Sequence, residues 1–178
     1  ARAARAARAA LAAHRLGSGS ACRRLSVRLC SRNAGGGHGQ PFAWRGVRDF
    51  GCGALGDMAC HIVDAAFQPL DLGDPKTVIC EATDCTDDQY PSTEVVKMVF
   101  AGNKASGGED IPFTWYDGKG NKPERPAELE DGRKIENAGK IIYGKDLTFK
   151  GTSHGSPLRI IPEARMKEMG KELPKFES

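Results

Sequence analysis

The chain has 178 residues, 26 of them lysine or arginine and 23 aspartate or glutamate, with 39% hydrophobic residues and six cysteines. That length suffices for one domain with its own core, and the sequence has no uninterrupted apolar run of about 18 residues, so no membrane span is expected. The net charge of +3 is unevenly placed: residues 1–40 hold eight arginines and no acid, leaving 18 basic groups against all 23 acids in residues 41–178. The body of the protein is therefore acidic, and no nucleic-acid surface is expected of it.

In chain order, residues 1–40 open with Ala-Arg-Ala at period three and turn to Ser, Gly, Arg and Cys without hydrophobic periodicity. Three explanations stand: a targeting peptide, a basic arm for nucleic acid, and a non-native stretch of the composition that GC-rich DNA yields out of frame. As a targeting peptide "ARAARAARAALAAHRL" could form an Ala-driven helix, but residues 1–40 are expected to be unstructured or non-native, and their removal to leave the fold intact, because they offer no apolar face. Residues 41–178 are the expected domain.

Next comes "GCGALGDMACHIVDAAF", where Gly51 and Gly53 permit a tight backbone turn and good helix formers follow with no proline before Pro69. The pattern predicts one helix from about Ala54 to Phe67. Leu55, Ala59, Ile62 and Ala66 fall on an apolar stripe, and Asp57, His61 and Asp64 on another. A carboxylate one turn before a histidine can orient the ring and fix its tautomer, as acid–base work near neutral pH requires. A solvated helix face would show the same spacing. "GCGALG" imitates a phosphate loop, but no strand precedes it and no acidic residue follows where a dinucleotide fold needs one.

Beyond the helix the period changes from 3.6 to 2. Strands are predicted over 76–84, 93–101, 111–116, 140–143, 146–150 and 158–162, separated by turn residues such as Asp117-Gly118 and Gly144-Lys145. "PEARMKEM", 162–169, reads as a short terminal helix with Pro162 at its first position. One long helix followed by strands on short turns implies an α+β fold, a mostly antiparallel open sheet with the helix packed on one face. His154, among turn formers, reads as a solvated loop residue. Cys52, Cys60, Cys80 and Cys85 show no metal-ligand spacing, so reduced cysteines and no metal are expected. That usage points to the cytoplasm, or to the periplasm if residues 1–40 stand in for an export signal.

Three separated stretches, "PFAWRGVRDFGCGALGDMACHIVDAAF", "FTWYDGKGNKPERPAELEDGRK" and "GTSHGSPLRIIPEARMKE", together resemble the Gfo/Idh/MocA family, NAD(P)-dependent oxidoreductases of sugars, inositols and related polyols, most closely a bacterial subgroup. The resemblance covers Pro41 to about Glu168. It implies that the helix opens the second domain of such an enzyme, whose open sheet covers the active site and often builds the oligomer contact. It further implies that His61 accepts the substrate hydroxyl proton and that Asp57 contacts substrate or orients His61; Asp64 also matches, and a helix-stabilising or loop-anchoring role is expected of it rather than chemistry. Trp44, Arg45 and Asp49 would line a polyol pocket, or else form a packed aromatic with a surface ion pair. "WYDG", at Trp115 to Gly118, would be a strand end and turn.

The family's Gly-rich cofactor loop and its Glu-Lys-Pro lysine have no counterpart in this sequence, and the chain ends at "KELPKFES", before the family's closing segments. The expectation is a fragment that supplies the substrate wall and the proton acceptor, binds neither NAD nor NADP alone, and self-associates through its sheet. A non-catalytic substrate-binding or assembly module is the alternative. A metal-assisted hydrolase built on Asp57, His61 and Asp64 is the weakest.

Overall fold

β-Branched and aromatic residues in alternating runs build the centre of the protein. The computed structural model describes residues 26–31 and 44–171. In chain order the strands are β1 (Ser26–Ser31), β2 (Pro75–Thr83), β3 (Thr93–Phe100), β4 (Ile111–Asp117), β5 (Gly139–Tyr143), β6 (Thr148–Thr152) and β7 (Arg159–Ile161). They form one seven-stranded sheet in the order β2-β3-β4-β1-β5-β6-β7. Only the β1–β4 pair is parallel; every other neighbouring pair is antiparallel. The helices are short: α1 (Gly53–Ile62), α2 (Asp64–Phe67) and α3 (Glu163–Met169). The expected α+β class with a mostly antiparallel open sheet is what forms.

Three expectations need correction. Residues 26–31 were expected to lie outside the fold, yet β1 is the middle strand of the sheet, joining β4 on one side to β5 on the other. Val27, fully buried, pairs with Phe113 and Ile142. Two neighbouring strands supply the apolar surroundings that the local composition does not advertise. The expected disorder of residues 1–25 and 32–40 lies outside the described residues.

Second, the single helix expected over 54–67 is two helices that meet at Val63. Val63 keeps helical dihedrals, but the Ala66 N–H bonds to the Val63 carbonyl, a tighter i to i+3 closure that restarts the winding. The buried stripe is accordingly Ala54, Met58 and Ile62, continued by Ala65 and Ala66, while Leu55 and Ala59 are only partly covered. Third, Pro162 precedes α3 as its N-cap and is not its first helical residue.

Met58 and Ile62 of α1 pack on the sheet face formed by Val27, Val96, Phe100, Ile111, Phe113, Trp115 and Ile142. Each fully buried side chain of this size contributes about 1.5–3 kcal/mol, so this contact fixes α1 on the sheet. A smaller cluster, Leu147, Ile160 and Met169, anchors α3. At the other end, all nine residues of β2 are exposed, including Val78 and Ile79, because β2 is an edge strand over which none of the described residues is laid. Among the described residues no helix is long and apolar enough to cross a membrane.

Candidate functional site

The approach to α1 is set by Gly53, whose φ is +71° and whose added Cβ would lie 2.9 Å from the Tyr90 ring. A side chain there meets both backbone strain and a ring, so glycine is required. Before it, residues 44–46 make one 3-10 turn, and N–H groups of Phe50 and Gly51 bond back to the Val47 carbonyl. Arg48 ties this strap to the following loop, donating to the Thr86 carbonyl at 3.1 Å and lying 4.9 Å from the Tyr90 ring centre.

The folded strap brings Arg45 onto α1. Its Nε lies 2.7 Å from Oδ2 of Asp57, and the two side chains are 20% and 24% exposed. The N–H is not aligned for a hydrogen bond, so charge rather than hydrogen-bond direction holds this contact. The guanidinium also sits 5.7 Å from the ring centre of Trp44, itself 47% exposed. Asp49 is exposed and joins no contact with this group. Of the expected pocket residues, then, Trp44, Arg45 and Asp57 come together, and Asp49 does not.

One turn further along α1, His61 is exposed. Its ring centre is 5.3 Å from that of His154, with the planes tilted by 37°. His154 has a φ of +55°, a left-handed backbone that histidine tolerates better than most residues. Its carbonyl accepts a 2.6 Å hydrogen bond from Nζ of Lys140. Lys140 is only 1% exposed, and its alkyl stem passes over Gly151, where a Cβ would come within 2.6 Å of Cε. Burial pushes the Lys140 ammonium below the ordinary lysine value, and the Asp64 carboxylate pulls it partly back.

His154 and Lys140 were not singled out as site residues from the sequence. Gly151 lies opposite Lys140 in the β5–β6 register, which leaves room for the stem, but that pairing becomes visible only once the sheet is assembled. Trp115, by contrast, is wholly buried in the core. Asp117 accepts the Gly118 N–H at 2.8 Å and serves the turn after β4.

The outward stripe thus offers an imidazole able to take a proton, a carboxylate fixed by Arg45, and a second imidazole held by a buried lysine. Among the described residues no three His, Cys, Asp or Glu side chains converge to hold a metal ion. The segment before Gly51 is a 3-10 turn and not a strand, so Gly51 and Gly53 do not make a dinucleotide loop. Compared with known protein families and with curated proteins, the chain returns no match.

Proposed function

We propose that residues 26–171 are the substrate-side part of a nicotinamide-dependent oxidoreductase of the Gfo/Idh/MocA type, acting on a sugar, inositol or related polyol. The observation that carries the reading is the outward stripe of α1, where Asp57, locked by Arg45, precedes an exposed His61 by one turn. In this reading His61 takes the hydroxyl proton of the substrate, Asp57 orients the ring or a hydroxyl, and Trp44 with Arg45 bounds the polyol. The dinucleotide, NAD or NADP, is held by a domain outside these residues, and this chain's part is confined to substrate and proton. A second copy meets it through the open sheet, and the setting is cytoplasmic.

The test joins a cofactor domain from a related enzyme ahead of Ser26, so that β1 is kept, and measures polyol-dependent reduction of NAD and NADP. His61→Ala should lower kcat by about 10²–10⁴-fold while cofactor affinity barely changes. Near-normal turnover in a well-folded His61→Ala protein would end the reading. The chain without that domain should show no saturable NAD or NADP binding tighter than about 1 mM by calorimetry.

A non-catalytic substrate-binding or assembly module is the second reading, favoured by the absence of a dinucleotide loop among the described residues. It predicts polyol binding that His61→Ala leaves unchanged.

A further inference from the structure

Away from the α1 stripe, a cleft of about 340 Å³ opens between the loop carrying Leu129 to Arg133, strands β6 and β7, and α3. Its floor is apolar: Leu129, Ile160 and Ile161 are each less than 10% exposed, and Met166 adds a flexible wall. Four cations line it, Arg133, Lys150, Arg159 and Lys167, against two acids, Glu130 and Glu163.

The two acids are each paired with Arg133, although Oε2 of Glu130 is buried without a hydrogen bond. Arg133 donates to Glu163 at 2.8 Å and lies 3.8 Å from Glu130, which also accepts the Glu163 backbone N–H. Lys150 is 3.5 Å from Glu136. The side chains of Arg159 and Lys167 make no ion pair or hydrogen bond with another described residue. Among the described residues, then, Arg159 and Lys167 are lining cations that no carboxylate pairs with, over an apolar floor. Both line the cleft, so an anion seated in it can be approached by each of them.

We propose that this cleft binds a small organic anion, a carboxylate or phosphate monoester with an apolar body. Arg159 takes the anion through its planar fork and Lys167 as a point charge, while Leu129, Ile160 and Met166 cover the body. The volume is at the small end of ligand pockets, about 300–1,000 Å³, so the body is no larger than one ring. The site shares no residue with the α1 stripe, and its fate is independent of the oxidoreductase reading.

The test is ligand-observed NMR and calorimetry on the full chain with phenyl phosphate, benzoate, inorganic phosphate and benzyl alcohol as probes. Phenyl phosphate or benzoate should saturate below about 10 mM, and inorganic phosphate and benzyl alcohol should each bind at least about tenfold more weakly, a loss of about 1.4 kcal/mol. Arg159→Gln and Lys167→Gln, both at exposed positions, should keep the melting temperature and each lower affinity by about tenfold or more. Arg159→Lys should recover part of the loss. Absence of saturation by both aromatic anions, or equal affinity in wild type and the Arg159→Gln/Lys167→Gln double variant, would overturn the proposal. Equal binding of inorganic phosphate and phenyl phosphate would overturn the role of the apolar floor.

Discussion

The imidazole of His154, on the loop after β6, stands 5.3 Å from that of His61 at the end of α1. Because the His154 carbonyl is held by Lys140, the position of this ring depends on a lysine buried in β5. His154→Ala should move the ring resonances of His61 in NMR spectra while amides of β2 and β3, remote from the loop, keep theirs. Unmoved His61 resonances would show that the two rings do not meet in solution.

Val27 is the side chain by which β1 joins the core, fully buried between Phe113 and Ile142. Val27→Asp places an unpaired carboxylate there and should lower unfolding free energy by on the order of 3 kcal/mol or more. A chain beginning at Gln40 should fare worse, since β4 and β5 lose their shared neighbour and the sheet divides into two three-stranded pieces. Chemical unfolding of both proteins measures this, and wild-type stability in either would mean that β1 is dispensable.

Local pattern made much of the sheet legible. Ile111, Phe113, Trp115 and Asp117 alternate with more exposed residues along β4, and that period of two is plain in "IPFTWYD". β1 was not legible, because "SVRLCS" sits among Arg, Gly and Ala and Val27 owes its burial to strands far along the chain. In β2, the apolar Val78 and Ile79 are exposed, since position at the sheet edge is set by topology and not by composition. At the site, the Asp57 and His61 spacing was readable on one helix. The partners Arg45 and His154 required the strap and the loop to fold back onto it.

Burial holds the Lys140 ammonium below its ordinary value of 10.5, with Asp64 opposing. Between the folded and unfolded values the unfolded chain binds the extra proton, so stability from this group rises with pH across that window. Below the folded value its desolvation cost is present in full. Lys140→Met keeps the stem and removes the charge. Its melting temperature relative to wild type should be highest near neutral pH and should decline as pH climbs toward 10.5. A difference flat across that range would mean that Lys140 is hydrated in solution.

Glu130 is held below the ordinary carboxylate range, chiefly by the Glu163 backbone N–H at the start of α3, with Arg133 and Lys150 assisting. Its contribution is therefore present above the unfolded value and lost as pH falls through the lower folded value. Glu130→Gln should lower the melting temperature near pH 7, and the deficit should shrink as the solution is acidified below about pH 4. A deficit independent of pH would assign the role of Glu130 to packing.

The last relationship ties stability to the proposed chemistry. Arg45 and Asp57 are four-fifths and three-quarters shielded, so salt should weaken their pair less than an open surface pair, yet the Nε–H is not aligned to the carboxylate. A double-mutant cycle with Arg45→Met and Asp57→Asn should give a coupling of about 0.5–1 kcal/mol, near the upper end for partly exposed pairs. In the enzyme completed by a cofactor domain, Arg45→Met should lower turnover less than His61→Ala, because Asp57 remains and only its anchor is lost. If Arg45→Met matched His61→Ala in turnover at unchanged melting temperature, Arg45 would itself touch the substrate, and Asp57 would be the group that holds Arg45 in place.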